Sequence, residues 1–267
     1  MNTWTDPITG CRIAYDDAGS GPPVVLIHAF PLCREMWAPQ RLALAKTYRV
    51  LTPDVFGFGD SDLPADGWTM DGQADAFAAW LTGIGVTRPV VFGGLSMGGY
   101  IALAFARRHP HLVKGLILAD TRADADSAET KANRDKTIEF VNQNSAAAQI
   151  DKMLPAMLGR FTRDDRPEVV AEVRRMGSAQ TVPGVVAAVK AIRDRPDSTA
   201  SLAAFQFPVL VIVGSDDAIT PPALAAAMVE ELPDATEEVL DSAGHLSNLE
   251  SPEAFTAAVT RWLAAIG

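Results

Sequence analysis

Gly94-Leu95-Ser96-Met97-Gly98 stands where an apolar run, Val90-Val91-Phe92-Gly93, passes into a helical pattern beginning Gly98-Gly99-Tyr100-Ile101-Ala102-Leu103-Ala104. A serine framed by glycines two residues before and two after it, on the step from strand to helix, has a steric meaning. The turn strains Ser96 while strand and helix nearly touch, leaving no room for a Cβ at position 94 or 98. That strain exposes the hydroxyl and sets the Met97 N–H beside it at a helix start. Chance alone produces such a pattern about once in ten to twenty chains of this length, so its reading depends on partners elsewhere.

Strand and helix signals alternate outward from this stretch. Upstream, Cys11 to Tyr15 alternates like a half-exposed strand, and Val24-Val25-Leu26-Ile27-His28 is continuously apolar, as in a strand covered on both faces. A helix is predicted over Trp37 to Lys46, a strand over Tyr48 to Thr52 and a helix over Met70 to Ile84. Downstream, the helix after Ser96 runs to His109 and stops at Pro110, and Gly115 to Asp120 supplies a strand. From Arg122 to Ala203 only helical periods appear, through Ile150, Met153, Leu154, Met157 and Leu158, then Val169, Val170, Val173 and Met176, then Val185, Val186, Val189 and Ile192. Alternation resumes with a strand at Pro208 to Gly214, a helix at Pro222 to Glu231, a strand at Glu237 to Leu240 and a helix at Pro252 to Ala265. The expected architecture is α/β: a mostly parallel sheet with helices on both faces, its core formed by residues 1–121 and 204–267 and a helical lid inserted at 122–203.

The composition fits one large core, with 267 residues, 48% of them hydrophobic and 21% charged. A net charge of -10 argues against nucleic acid or an anionic membrane surface as partner. Cys11 and Cys33 form no ligand-spaced pair and read as reduced thiols. The first residues lack the basic and apolar regions of a signal peptide, and no apolar run approaches the ~20 residues that span a bilayer, so the expected location is cytoplasmic. The oligomeric state is open.

A serine hydroxyl needs an adjacent base to act as a nucleophile. Among four histidines, His109 and His111 flank Pro110 at a helix end and read as surface or capping residues, while His28 closes a buried strand. His245 lies in Ser242-Ala243-Gly244-His245-Leu246-Ser247-Asn248, between the last strand and the last helix, at the sheet edge where Ser96 also sits. It is the candidate base. A carboxylate must fix its tautomer, and either Asp216 or Asp217, in the loop after Val213-Gly214, could serve.

Four stretches together resemble the α/β-hydrolase superfamily: His28-Ala29-Phe30-Pro31, Asp54-Val55-Phe56-Gly57-Phe58-Gly59-Asp60-Ser61, Gly94 to Gly98, and the loops of Asp217 and His245. The chain is most similar to small bacterial carboxylesterases, 3-oxoadipate enol-lactonases and cofactor-free haloperoxidases or perhydrolases. The resemblance implies an eight-stranded α/β-hydrolase fold, a Ser96-His245-Asp217 triad with Asp217 preferred over Asp216, and no cofactor or metal. It also implies an oxyanion hole from the N–H groups of Phe30 and Met97, with His28 shaping the loop. The implied substrate is a small ester or lactone cleaved through an acyl-enzyme on Ser96. Ile219, Leu246 and Met157 are candidates for an apolar substrate lining, although Met153 and Met157 read first as packing residues.

Two features depart from the pattern. Ala29 replaces the usual glycine of the oxyanion loop, and the Ser-rich stretch common in enol-lactonases is missing. Position 96 is Ser rather than the Asp of haloalkane dehalogenases and epoxide hydrolases. No tryptophan falls in the lid, unlike the ring-fission C–C hydrolases. A perhydrolase using the same triad, with Phe30-Pro31 as its aromatic-Pro pair, is the alternative enzyme; a small-molecule receptor of the same fold is the alternative class. Arg134, Lys136, Lys152 and Arg160 read as a solvated lid face rather than as a carboxylate site.

Overall fold

In the computed structural model, which describes residues 1–267, the strands are β1 (Asn2–Thr5), β2 (Arg12–Ala18), β3 (Pro23–Ile27), β4 (Arg49–Pro53), β5 (Val90–Leu95), β6 (Val113–Ala119), β7 (Val209–Gly214) and β8 (Ala235–Leu240). They form one eight-stranded sheet in the order β1-β2-β4-β3-β5-β6-β7-β8. The pairs β1/β2 and β2/β4 are antiparallel and the remaining pairs parallel. β1 carries no sequence signal: Asn2-Thr3-Trp4-Thr5 is exposed except for the half-buried Trp4, so it lacks the apolar alternation that betrays a strand.

The continuous apolar runs divide between two faces. Val24, Leu26, Val91, Ile117, Leu210 and Ile212 belong to one buried cluster, and Val25, Ile27, Phe92, Leu116, Leu118 and Val211 to the other. Successive strand residues point to opposite faces, so a sheet covered on both sides needs apolar residues at every position.

The helices are α1 (Ala38–Leu44), α2 (Met70–Gly83), α3 (Met97–Arg108), α4 (Ala128–Gln143), α5 (Ala146–Met157), α6 (Arg160–Asp165), α7 (Pro167–Ser178), α8 (Val182–Arg193), α9 (Pro222–Glu231), α10 (Ser247–Glu250) and α11 (Pro252–Ile266). α2, α3 and α9 bury side chains in one cluster, α1 and α11 in the other. No helix is long and apolar enough to cross a membrane.

Between β6 and β7 the chain is helical, from α4 to α8, followed by a 3-10 turn at Thr199–Ala204. The two ends of this segment are tied together. Buried Arg195 donates to Asp126 at 2.6 Å and to the Asp124 carbonyl at 2.8 Å, and its guanidinium lies 4.2 Å from the centre of the Tyr100 ring on α3.

Register brings the functional loops to one edge. Leu95 on β5 pairs with Ala119 on β6, and Ala119 with Ile212 on β7, so the carboxyl ends of three adjacent strands lie level. Gly214 pairs with Leu240, which places the loop after β8 beside the loop after β7.

Candidate active site

Ser96 takes φ 55° and ψ -112° between β5 and α3, a conformation rare for a non-glycine residue. The flanking glycines are required by contact rather than by their own dihedral angles. A Cβ on Gly94 would lie 2.2 Å from the Gly98 carbonyl carbon, and one on Gly98 would lie 2.2 Å from the Ile27 carbonyl oxygen. Strand, turn and helix therefore close around Ser96, which is 9% exposed. Its N–H donates to the Ala119 carbonyl at 2.9 Å, and the Thr121 hydroxyl donates to its carbonyl at 2.9 Å.

Ser96 Oγ lies 2.8 Å from His245 Nε2, and His245 Nδ1 lies 2.8 Å from Asp217 Oδ2. All three residues are buried. A carboxylate can only accept, so Nδ1 carries the hydrogen and Nε2 is left to accept the serine proton. Asp217 is held by three further donors: the Ile219 N–H at 2.8 Å, the Thr220 N–H at 2.9 Å and the Thr220 hydroxyl at 2.7 Å. Burial alone would raise the Asp217 carboxyl. His245 and Thr220 outweigh it and hold the group below its ordinary value, hence ionised at neutral pH. Asp216, by contrast, is exposed and beyond its N–H bond to the Ala243 carbonyl touches only Ser215 Oγ.

The loop after β3 is organised by His28. Its Nε2 accepts the Val55 N–H at 2.9 Å, so its hydrogen is on Nδ1, which donates to the Ala29 carbonyl at 3.0 Å. Full burial lowers its pKa and keeps the ring neutral, opposed more weakly by the charge of Asp54. The Ala29 carbonyl also accepts the Leu32 N–H at 2.9 Å, and the Ala29 methyl is buried in the apolar core, which is how the fold accommodates the departure from glycine. Below the loop, buried Asp54 accepts the Arg34 N–H at 2.7 Å and pairs with the Arg34 guanidinium, which reaches Asp60 at 2.8 Å. The Phe30 N–H makes no bond within the protein, and Met97 is the first residue of α3, whose N–H has no partner in the helix.

The residues read as apolar lining contribute main-chain contacts to this site. Met157 accepts the His245 N–H at 3.1 Å while its side chain is fully buried; Ile219 bonds Asp217; Leu246 is fully buried. Arg134 and Arg160 pair locally with Asp126 and Asp164, and Lys152 sits 4.5 Å from the centre of the Phe140 ring.

Three polar residues escaped the sequence reading. Thr220 was legible in principle, because Asp-x-x-Thr before a proline is a turn in which the carboxylate gathers nearby donors. Asp120, at φ 43° after β6, is fully buried; its carboxyl accepts the Gly214 N–H at 2.9 Å and the Ser247 hydroxyl. Glu250, on α10, is also buried and accepts the Leu246 N–H at 3.2 Å. No local pattern marks these two, since their partners are distant in sequence or reached only through the fold.

Known proteins share this architecture. A thermophilic esterase from Thermogutta terrifontis superimposes with a TM-score of 0.96 at 40% identity, over 100% of this chain and 99% of that one. The enol-lactonase from Burkholderia xenovorans LB400 gives a TM-score of 0.88 at 28% identity, over 96% and 97%. BpoC of Mycobacterium tuberculosis, assigned as a non-heme bromoperoxidase, is 29% identical over 96% of this chain and 98% of its own length. A family model described as the alpha/beta hydrolase fold matches residues 22–252, and the chain belongs to that family.

Proposed function

We propose that the protein is a carboxylic ester hydrolase that cleaves small esters or lactones through an acyl-enzyme on Ser96. The observation that carries this reading is the unbroken hydrogen-bond chain Ser96-His245-Asp217, with both links at 2.8 Å. The kinship with an esterase and an enol-lactonase supports the substrate class.

Ser96 Oγ attacks the acyl carbon as His245 Nε2 takes its proton, and His245 then delivers that proton to the leaving alkoxide. Water repeats the sequence on the acyl-enzyme and releases the acid. Asp217 holds the imidazole in the required tautomer and stabilises the imidazolium. The N–H groups of Phe30 and Met97 receive the developing oxyanion; loss of one such donor costs about 3 kcal/mol of transition-state stabilisation. Residues 122–203 form the lid over this edge of the core.

Hydrolysis of p-nitrophenyl acetate by the wild type and Ser96→Ala tests the reading. The variant is expected to lose roughly four to six orders of magnitude in kcat. Retention of most activity would remove Ser96 from the mechanism. Peracid formation exceeding hydrolysis in the presence of hydrogen peroxide would move the assignment to a perhydrolase, and a single turnover followed by arrest would move it to a receptor.

A further inference from the structure

The segment joining α5 to α6 runs against the loop that carries His245. Met157 accepts the His245 N–H at 3.1 Å, and the following residues, Leu158 and Gly159, are extended. Gly159 approaches Gly244 so closely that a Cβ on Gly244 would lie 2.2 Å from the Gly159 nitrogen. A side chain is therefore excluded at Gly244 and crowded at Gly159.

Glu250 joins the two strands. Its Oε2 accepts the Gly159 N–H at 2.7 Å and its Oε1 accepts the Leu246 N–H at 3.2 Å, while the Gly244 N–H also faces the carboxyl. The nearby Thr162 hydroxyl on α6 is buried and makes no well-formed bond of its own. From the lid side, Arg166 donates to the Glu250 carbonyl at 2.7 Å. Burial raises the Glu250 carboxyl above its ordinary value, and these donors draw it back. One buried carboxylate thus gathers N–H groups from either side of His245 and from residues 91 positions away.

Such an arrangement exceeds what a loop needs for its own support. The flanks of His245, at Gly244 and Leu246, share their acceptor with the 122–203 segment, and the His245 N–H itself is bonded to that segment. We propose that Glu250 is a positioning residue that latches the lid to the histidine loop, so that His245 stands in register with Ser96 only when the lid is seated. This rests on the triad reading above. It makes the base sensitive to whatever moves α5 and α6, including a substrate under the lid.

Glu250→Gln and Gly159→Ala test the latch. The glutamine keeps the size but offers an amide NH2 where an N–H needs an acceptor. The alanine leaves the carboxylate intact and crowds Gly244, with its Cβ 3.0 Å from the Gly244 nitrogen. Both would be compared with the wild type for kcat and KM on p-nitrophenyl acetate, for the rate of Ser96 trapping by a fluorophosphonate, and for the downfield proton resonance of His245 Nδ1–H. Glu250→Gln is expected to lower kcat and the trapping rate together by about 10- to 100-fold, as misplacement of a base by about 1 Å does. KM should stay within about threefold, the resonance should shift or vanish, and Gly159→Ala should follow by a smaller factor.

Folded variants with kcat and trapping within about twofold of wild type and an unmoved resonance would overturn the latch. So would a rise in KM at constant kcat, which would make the crossing a part of substrate binding. A wild type that hydrolyses the ester without being trapped at Ser96 would instead overturn the triad, and the latch with it.

Discussion

α3 and α4 are helices of similar length on either side of β6, and they are opposite in character. α3 buries ten of its twelve residues, whereas α4 buries only Val141 among sixteen. α3 is fixed at its first turn by backbone contacts to β3 and β5 that exclude any side chain. α4 is held by one edge and by paired charges such as Arg134–Asp126. This contrast marks where the fold tolerates change: the helix that follows Ser96 is locked, and the helix that opens residues 122–203 is loosely specified.

Substitutions at the locked end should carry the largest effects. Asp217→Asn keeps the shape of the acid but lets the imidazole settle in the wrong tautomer, and kcat is expected to fall by about four orders of magnitude with little change in melting temperature. A loss below tenfold would show that His245 does not depend on this acid.

Gly98→Ala should act through structure instead. Its Cβ would meet the Ile27 carbonyl, forcing α3 away from β3, at an expected cost of about 3 kcal/mol in urea unfolding along with lost activity. An unchanged unfolding midpoint would mean that the turn at Ser96 is less tightly closed than its geometry implies.

A smaller, pH-dependent effect is expected at Asp120. Burial first, and then the charge of Asp217, raise its carboxyl well above the ordinary value, against the pull of Ser247 and Gly214. A carboxyl raised in the folded state favours its protonated form there, so the stability this group contributes is present below about pH 4 and is lost as pH rises above it. An asparagine side chain has no such proton to lose. The melting temperature of Asp120→Asn relative to wild type should therefore move in the variant's favour from about pH 4 to pH 8. A difference that is flat with pH, or that moves the other way, refutes the upward shift of this carboxyl.

The least effect belongs to α4. Lys136 is exposed and its side-chain hydrogen bond goes to Asn133 on its own helix, so Lys136→Ala should change stability by about 0.5 kcal/mol or less. A larger cost would erase the contrast between the two helices.

The same contrast governs what could be read from the chain. Most strands were legible because β3, β5, β6 and β7 are apolar runs buried on both faces, a property each residue carries locally, while β2 showed alternation and β8 followed from its place between two helices. β1 was not, since its pairing with β2 is made by backbone atoms of exposed residues. Ser96, Asp217 and His245 were legible as types in the expected order, but the choice between two neighbouring aspartates came from resemblance. In the structure only Asp217 lies against His245; Asp216 faces solvent. The helical period marks Met157 by its side chain, yet what reaches the site is its carbonyl.

Local sequence was enough for the alternation of strands and helices, the glycine-framed serine turn and the candidate nucleophile, acid and base. All of these are written in periodicity or in the sterics of adjacent residues. Three-dimensional packing was needed to bring Ser96 and His245, 149 positions apart, within hydrogen-bond distance, and to set Asp120 and Glu250 beneath the loops around them. Those pairings depend on strand register and on where separate loops converge at one sheet edge. Geometry of that kind is set by the packing of the whole sheet, and no short stretch of chain contains it.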